Sequence, residues 1–290
     1  MIIRYHKPVL AAGFALAMAL TLSCSGDGGN EPPPPPPPAC EDWTEAVTIV
    51  PTCGSKGLKT LTCTSDPSDT KTEEIDKVPY DNSVLLCDAR DGNLYKFVTI
   101  GTGATAQTWF AENLNYNASG SKCYAEGVDG VSADSIAKNC ATYGRLYDWA
   151  TAMNNSASST ANPSGVQGVC PAGWHLPSDA EWNVLLKFVN PSCTDNAKCD
   201  GAGTKLKANS ALWSTNTGTD DYGFAALPGG KYTMSGGFSH INDWLNWWST
   251  REIDNSIAYS LYVGSGYEIV FWANNGNKDY LFSVRCVKDD

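Results

Sequence analysis

Apolar and polar residues alternate in several stretches whose spacing predicts β-strands. The run over residues 94–100, L-Y-K-F-V-T-I, places its side chains alternately on two faces. Near the C-terminus, residues 257–263, 267–273 and 280–287 are rich in β-branched and aromatic residues, and G-S-G and N-N-G-N separate them as turns. The sequence therefore predicts one early strand and an antiparallel group at the end of the chain.

Two stretches between these strands have helical spacing instead. Residues 143–154 carry a stripe of apolar side chains at helical intervals and predict one helix. Ser178 is a candidate N-cap and Glu181 would complete a capping box. The apolar positions of a second helix follow at Trp182, Leu185, Leu186 and Val189. Strands that flank two helices predict an α+β domain whose first and last strands pair.

The N-terminus has the pattern of an export signal. Arg4 and Lys7 precede an apolar run over residues 9–22, which is too short for a comfortable membrane span, and Cys24 follows a small residue. We predict a signal peptide over residues 1–23 and lipidation of Cys24, because this order resembles a bacterial lipobox. The alternative is an ordinary cleaved signal that leaves Cys24 as a spare thiol.

Residues 24–39 are acidic and rich in proline. Seven consecutive prolines, Pro32–Pro38, cannot bury apolar surface and predict a stiff polyproline spacer of about 3 Å per residue. Such a linker would hold the rest of the chain away from a lipid anchor. The predicted location is therefore the outer membrane or cell surface, after export.

The charge balance excludes several kinds of partner. The chain has 20 basic and 31 acidic residues, a net charge of −11, and removal of Arg4 and Lys7 with the signal would make it more negative. A nucleic-acid partner, or a membrane contact other than a lipid anchor, is therefore not expected.

Eleven cysteines in an exported chain indicate disulfides. Lipidation of one leaves an even number, and the alternative of a metal site is disfavoured because no C-x-x-C pair occurs and only His175 and His240 lie beyond the signal. Spacing predicts the pairs Cys123–Cys140, Cys193–Cys199 and Cys170–Cys286, and leaves Cys40, Cys53, Cys63 and Cys87 as a set of their own. These last four predict a small disulfide-stapled module over residues 40–88, before a main domain over residues 89–288.

Seven motifs in the main domain carry a resemblance. They are D-G-N-L-Y-K-F-V-T-I-G from Asp91, W-F-A-E-N-L-N-Y from Trp109, Y-G-R-L-Y-D-W-A-T-A-M from Tyr143, G-V-C-P-A-G-W-H-L-P-S-D-A-E-W from Gly168, G-F-A-A-L-P-G-G from Gly223, W-W-S-T from Trp247 and F-S-V-R-C-V from Phe282. In this order they resemble the Fibrobacter succinogenes major paralogous domain (FISUMP) family. The resemblance implies a domain of secreted and surface lipoproteins, and it implies no particular reaction.

Two of these motifs are also similar to those of formylglycine-generating enzymes. L-P-S-D-A-E-W and S-V-R-C-V look like strings of that family, whose fold is a variant of the C-type lectin-like fold. The likeness implies a C-type lectin-like architecture with two helices and antiparallel strands. The copper-binding cysteine pair of those enzymes has no counterpart, because no cysteine lies between Cys199 and Cys286.

The residues give little support to catalysis. His175 lies inside a motif at a helix entry, and Asp179 and Glu181 suit the first turn of a helix. No nucleophile elbow or nucleotide-binding glycine fingerprint is present. No catalytic residue, metal or cofactor is predicted. Calcium is the one open alternative, through Asp195, Asn196 and Asp200 in a stapled loop that also fits a solvated turn.

Aromatic residues are the remaining chemical clue. Most tryptophans fall in or beside the motifs and predict core positions: Trp109, Trp149, Trp174, Trp182, Trp213, Trp247 and Trp248. A second set lies in a glycine-rich region outside them and is the candidate ligand-binding set: Tyr222, Tyr232, Trp244, Tyr267 and Trp272. The alternative is that these aromatics also fill the core.

The predicted function is non-catalytic. A surface-displayed domain that binds an extracellular glycan or another surface protein accounts for the export signal, the disulfides and the aromatic residues together. Two alternatives stay open, an atypical enzyme related in fold to formylglycine-generating enzymes and a structural component of the envelope.

Overall fold

The computed structural model describes residues 40–215 and 218–289. The signal peptide, Cys24 and the linker over 24–39 lie outside the described residues. The chain divides into the units Met1–Glu41 and Asp42–Asp290, and the elements below all belong to the second. Among the described helices, none has both the length and the apolar character needed to cross a membrane.

Strands dominate the described ranges. They are β1 (Trp43–Ile49), β2 (Gly57–Cys63), β3 (Thr70–Ile75), β4 (Leu85–Cys87), β5 (Leu94–Ile100), β6 (Gln107–Phe110), β7 (Leu146–Tyr147), β8 (Trp174–His175), β9 (Gly229–Thr233), β10 (Gly237–Ile241), β11 (Trp244–Glu252), β12 (Ile257–Gly264), β13 (Val270–Asn277), β14 (Phe282–Ser283) and β15 (Val287–Lys288). The helices are α1 (Ala133–Tyr143), α2 (Trp149–Met153), α3 (Asp179–Val189) and α4 (Ala202–Leu206). The fold is therefore α+β and rich in sheet.

The N-terminal part has a sheet of its own. Strands β1, β2 and β3 form an antiparallel sheet in that order, and β1 is largely exposed. A disulfide joins Cys53 to Cys87, and Cys40 and Cys63 are disulfide-bonded as well. Cys87 ends β4, which pairs with β5, so this set of cysteines reaches into a sheet of the main domain.

A five-stranded sheet gathers strands from both ends of the main domain, in the order β4-β5-β6-β15-β8. The predicted direct pairing of the first and last strands is wrong, because β6 lies between them. Val287 of β15 pairs with Trp109 of β6 on one side and with His175 of β8 on the other. The short connection over residues 101–106 lets β6 fold back onto β5 and take that place.

The larger sheet has the order β10-β9-β11-β12-β13, and β14 and β7 extend it beside β11. Two apolar cores lie against these sheets, and adjacent residues of β11 divide between them: Trp247 enters one and Trp248 the other. The prediction of core tryptophans is confirmed, because each of the seven is buried. They are Trp109, Trp149, Trp174, Trp182, Trp213, Trp247 and Trp248.

The helix predicted over residues 143–154 is confirmed only over α2, Trp149–Met153, and its predicted extent is wrong. Helix α1 ends at Tyr143, and Gly144 follows with a φ of 76°, a conformation that favours glycine and ends the helix. The chain then passes through β7 before the Asp148 side chain accepts a hydrogen bond from the Thr151 amide and starts α2. Helix α1 itself, residues 133–143, was not predicted.

Helix α3 begins as predicted. The Ser178 hydroxyl accepts a hydrogen bond from the Glu181 amide, 3.2 Å away, and the Glu181 carboxylate accepts one from the Ser178 amide, at 2.9 Å. This reciprocal capping box satisfies donors that a helix start otherwise leaves unpaired. Trp182, Leu185, Leu186 and Val189 all enter one core.

The C-terminal strands differ from the prediction in where they begin and end. Strand β12 closely matches the predicted 257–263, but β13 begins three residues later than predicted and continues through N-N-G-N, since Ile257 pairs with Asn277. The predicted strand over 280–287 is two short strands instead. Between them the buried Arg285 donates to the carbonyls of Phe110 and Phe224, at 3.1 and 2.7 Å, which draws this segment into the interior.

Three further disulfides have the pairings expected from spacing. The structure joins Cys123 to Cys140, Cys193 to Cys199 and Cys170 to Cys286. The last bond has a sequence separation of 116 residues and lies fully buried in the core that contains Trp248. It connects the segment before β8 to the segment before β15.

Candidate functional site

The structure brings two of the five candidate aromatic residues together. The rings of Trp244 and Tyr267 lie 5.5 Å apart, centroid to centroid. The others lie elsewhere: Tyr222 packs edge-on against Phe188, and Tyr232 packs against Phe238. The candidate set is therefore not a single surface.

Trp272 belongs to the opposite face of the sheet. It pairs with the buried Leu261 in β12 and packs against the core that contains Trp247. Its indole nitrogen is buried and has no hydrogen-bond partner among the described residues. This side chain is positioned to fill space rather than to meet a ligand.

Strand alternation places an aromatic cluster on the outward face, around Trp244. Trp244 lies 5.5 Å from Tyr262, and Tyr262 stacks on Phe271 at 5.0 Å with an interplanar angle of 11°. Tyr267 meets both Trp244 and Phe271 at 5.5 Å. All four rings are at least partly exposed, in contrast to the core tryptophans.

Beside these rings the sheet face forms an open cleft of about 440 Å³, here called the Trp244 cleft. Its lining residues are Lys231, His240, Trp244, Asn246, Ser260, Tyr262, Ala273, Asn275, Gly276, Tyr280 and Phe282. Both aromatic rings and polar side chains line it. This composition is typical of small-ligand sites, which combine apolar contact with a few placed polar groups.

One polar group in the cleft lacks a protein partner among the described residues. The Ser260 side chain is 1% exposed, and its hydroxyl has no hydrogen-bond partner among the described residues. Asn246 is 8% exposed and lies on the same face of β11 as Trp244. Buried polar groups are normally satisfied, so this hydroxyl leaves one hydrogen-bonding group unpaired at the wall of the cleft.

A buried lysine holds the loop that carries Tyr267. The Lys207 ammonium donates to the backbone carbonyls of Gly264, Ser265 and Tyr267, at 3.4, 3.2 and 3.0 Å. Burial lowers the pKa of Lys207, an effect that the charge of Glu268 partly opposes. The Ser265 hydroxyl also donates to Asp243 at 2.6 Å, so both ends of the aromatic cluster are fixed before any ligand arrives.

Arg285, in the last sequence motif, is a second buried cation. Its guanidinium donates to Asn113 Oδ1 at 2.8 Å, in addition to the two carbonyls described above, and lies over the Phe224 ring at 4.5 Å. Desolvation lowers the pKa of Arg285 to about 9, which leaves the group charged at neutral pH. This part of the motif therefore stabilises the interior of the domain.

His175 is held by two carboxylates. Its ring nitrogens lie 2.5 Å from Glu181 Oε1 and 2.7 Å from Asp289 Oδ1. The second oxygen of Glu181 accepts hydrogen bonds from the amides of Ser164 and Ser178. These contacts fasten the helix entry to the end of the chain, as the helix-entry interpretation of His175 predicts.

Stability should depend on pH through His175. Burial alone would lower its pKa, but the hydrogen bonds and charges of Glu181 and Asp289 outweigh burial and raise it. A raised pKa contributes stability that is full below the unfolded value of about 6.5 and is lost as pH rises through the folded value. The urea midpoint of the wild type should therefore exceed that of His175→Gln most at pH 5.5 and least at pH 9.

The exposed His240 offers a matched control for this prediction. His240→Gln should change the urea midpoint little at either pH, because this side chain has no carboxylate partner among the described residues. A difference between the wild type and His175→Gln that stays constant from pH 5.5 to pH 9 would contradict the proposed protonation of His175.

The oxygen ligands considered for calcium have other partners. Asp195 pairs with Lys187 at 2.7 Å and Asp200 with Lys198 at 3.2 Å. Asn196 Oδ1 accepts a hydrogen bond from the side-chain Nδ2 of Asn183 at 3.1 Å. Within residues 40–215 and 218–289, no group of three or more His, Cys, Asp or Glu side chains is placed to hold a metal ion.

Several residues of the Trp244 cleft and of the aromatic cluster beside it were missed from the sequence. Tyr262 and Phe271 fall in predicted strands, where each alternates with buried neighbours such as Leu261 and Val270. That alternation could have assigned both to the outward face opposite Trp272. His240 and Lys231 had no such signal, because β9 and β10 were not predicted.

Comparison with known proteins gives one result at the level of families. A family model described as the Fibrobacter succinogenes major domain matches residues 62–288, which confirms the resemblance seen in the seven motifs. No curated protein and no solved structure matches the chain. The similarity to formylglycine-generating enzymes stays a prediction.

Proposed function

The chain belongs to the Fibrobacter succinogenes major domain family, and we propose that it is an exported lipoprotein that displays a non-catalytic, glycan-binding domain at the cell surface. The lipid is carried by Cys24, and the proline-rich linker spaces the domain from the outer membrane. The ligand site is the Trp244 cleft.

The observation that carries this proposal is the aromatic face beside an unpaired hydroxyl and an amide side chain. A sugar ring has an apolar face that packs on indole and phenol rings, and a rim of hydroxyls that need hydrogen-bond partners. Trp244 and Tyr262 supply the first kind of contact, and Ser260 and Asn246 supply the second. A flat protein interface would not need a cleft with a buried, unpaired hydroxyl on its floor.

We also propose that the domain has a C-type lectin-like architecture. Support comes from the five-stranded sheet, in which β15 from the end of the chain lies between β6 and β8. The Cys170–Cys286 bond also joins the segments that precede β8 and β15. In this arrangement the Trp244 cleft lies on the other, larger sheet.

Substitution of Trp244 tests the binding site. Loss of one stacked aromatic ring typically removes about 1–3 kcal/mol of binding free energy, so Trp244→Ala should weaken binding to a captured glycan by about 5- to 150-fold. The measurement is a glycan array probed with the full-length protein in detergent, followed by titration calorimetry with the strongest hit.

Tyr222→Ala is the matched control, because this aromatic residue is also half-buried but packs on Phe188 outside the cleft. It should bind as the wild type does. Equal affinity of Trp244→Ala and the wild type would remove the cleft from the proposal. Capture of surface proteins by the wild type with no glycan bound would favour a protein ligand instead.

Cys24→Ala tests the anchor separately. Metabolic labelling with a palmitate analogue in a bacterial host should mark the wild type, and the variant should lose the label and leave the membrane fraction. Cys24 is the proposed acylated residue, so a variant that still partitions into detergent would show that the anchor is not at this position.

A further inference from the structure

The Trp244 cleft has a charge opposite to that of the chain. The chain carries 31 acidic residues against 20 basic ones, yet Lys231 and His240 line the cleft and none of the residues lining it is an Asp or Glu. Lys231 has no ion-pair partner among the described residues, whereas Lys198 pairs with Asp200 on the surface. An unpaired cation beside a ligand cleft is available to an anion.

Both basic residues belong to the β9–β10 hairpin, and both line the cleft. Lys231 pairs with Ser239 across the β9–β10 hairpin, and His240 is the next residue after Ser239. The His240 ring meets Trp244 edge-on, with centroids 6.4 Å apart and an interplanar angle of 82°. A sugar that stacks on Trp244 would therefore lie beside the hairpin that carries both basic groups.

We propose that the Trp244 cleft selects acidic glycans, in which a sugar carries a uronic carboxylate or a sulfate ester. This inference rests on the proposed function and narrows its ligand class. The acidic group accepts hydrogen bonds from the Lys231 ammonium and the His240 ring, while the sugar ring packs on Trp244. Charge-assisted hydrogen bonds of this kind are stronger than those between neutral groups.

The negative charge of the whole chain does not oppose this selection strongly. At physiological ionic strength the Debye length is about 8 Å, so exposed carboxylates farther away are largely screened. Contacts within the cleft act at hydrogen-bond distance and are screened much less. The local pair of basic groups therefore decides the preference, and added salt should weaken it only in part.

The test compares each acidic glycan with its neutral counterpart. The probes are hexasaccharides of galacturonate and of mannuronate with their carboxyl-reduced forms, and sulfated carrageenan hexasaccharides with their desulfated forms. Calorimetry with the full-length protein in detergent should give at least one acidic form that binds about tenfold or more tightly than its neutral counterpart. Lys231→Gln should remove most of that preference, because only the His240 ring then remains to donate to the acidic group.

Lys198→Gln is the matched control, since it removes the same charge from an exposed lysine outside the cleft. It should keep the acidic preference. The uronate and sulfate arms identify which acid the cleft takes. Thermal melts confirm that both variants are folded, and Lys198→Gln should leave affinity for both the acidic and the neutral forms unchanged.

Four results would overturn the inference. If neutral and acidic forms bind equally, or if Lys231→Gln keeps the preference, the selection is wrong while glycan binding stands. If only neutral glycans bind, and Trp244→Ala abolishes that binding, the acidic selection is again wrong and glycan binding at the cleft stands. If no glycan binds in any arm or on the array, the proposed function fails with it.

Discussion

Replacement of Cys170 and Cys286 together by alanine is expected to lower the free energy of unfolding by about 5 kcal/mol. The bond has a sequence separation of 116 residues, and a loop of that length loses much conformational entropy when it is closed in the unfolded chain. Both cysteines are also fully buried, so the native state has no easy way to compensate. Urea unfolding of the oxidised proteins measures the difference.

The double variant Cys193→Ala/Cys199→Ala is the control for this effect. Its bond has a sequence separation of six residues, for which the same model gives about 2 kcal/mol. The order of the two losses matters more than either value. A larger loss for Cys193→Ala/Cys199→Ala, or equal losses, would mean that chain entropy does not dominate the contribution of these bonds.

Local signals predicted the elements that local chemistry determines. Helix α3 was predicted because Ser178, Glu181 and the apolar spacing after them lie within one short stretch. Strand β5 was predicted with its observed bounds, 94–100, because its alternation meets apolar cores on both faces. In both cases the residues that decide the structure are neighbours in sequence.

Prediction failed where distant contacts decide. The apolar stripe over residues 143–154 fits a helix, but Leu146 and Tyr147 pair with Ser283 and Phe282, more than 130 residues away. The segment 280–287 has strand composition, but Arg285 turns inward because carbonyls from Phe110 and Phe224 are there to accept its hydrogen bonds. Neither partner is visible in the local pattern.

The candidate site was predicted in part for the same reason. Trp244 and Tyr267 were selected because they lie in the glycine-rich region outside the motifs. That location does not indicate which face of a strand each aromatic residue occupies. That depends on the register of β11, β12 and β13, which sets Tyr262 opposite Phe271 and Leu261 opposite Trp272. Once the register is known, Trp244 and Trp272 lie on opposite faces.

Two tryptophan substitutions should therefore have different effects on stability. Trp272→Ala removes a ring that packs against the core, and we expect a loss of about 3 kcal/mol, the lower end of the range for tryptophan in a core. Trp244→Ala removes ring contacts with Tyr262 and Tyr267 on the open face, and we expect about 1 kcal/mol.

Thermal melts separate the two expectations without any ligand. For a domain of this size 1 kcal/mol corresponds to about 2–4 °C in Tm, so Trp272→Ala should melt about 6–12 °C below the wild type and Trp244→Ala only a few degrees below. Trp272→Ala should lose stability, which would assign the Trp272 ring to the core. Trp244→Ala should lose affinity for the ligand instead, which would assign the Trp244 ring to the binding site. A large Tm loss in Trp244→Ala would place its ring in the core as well and leave the cleft without its aromatic floor.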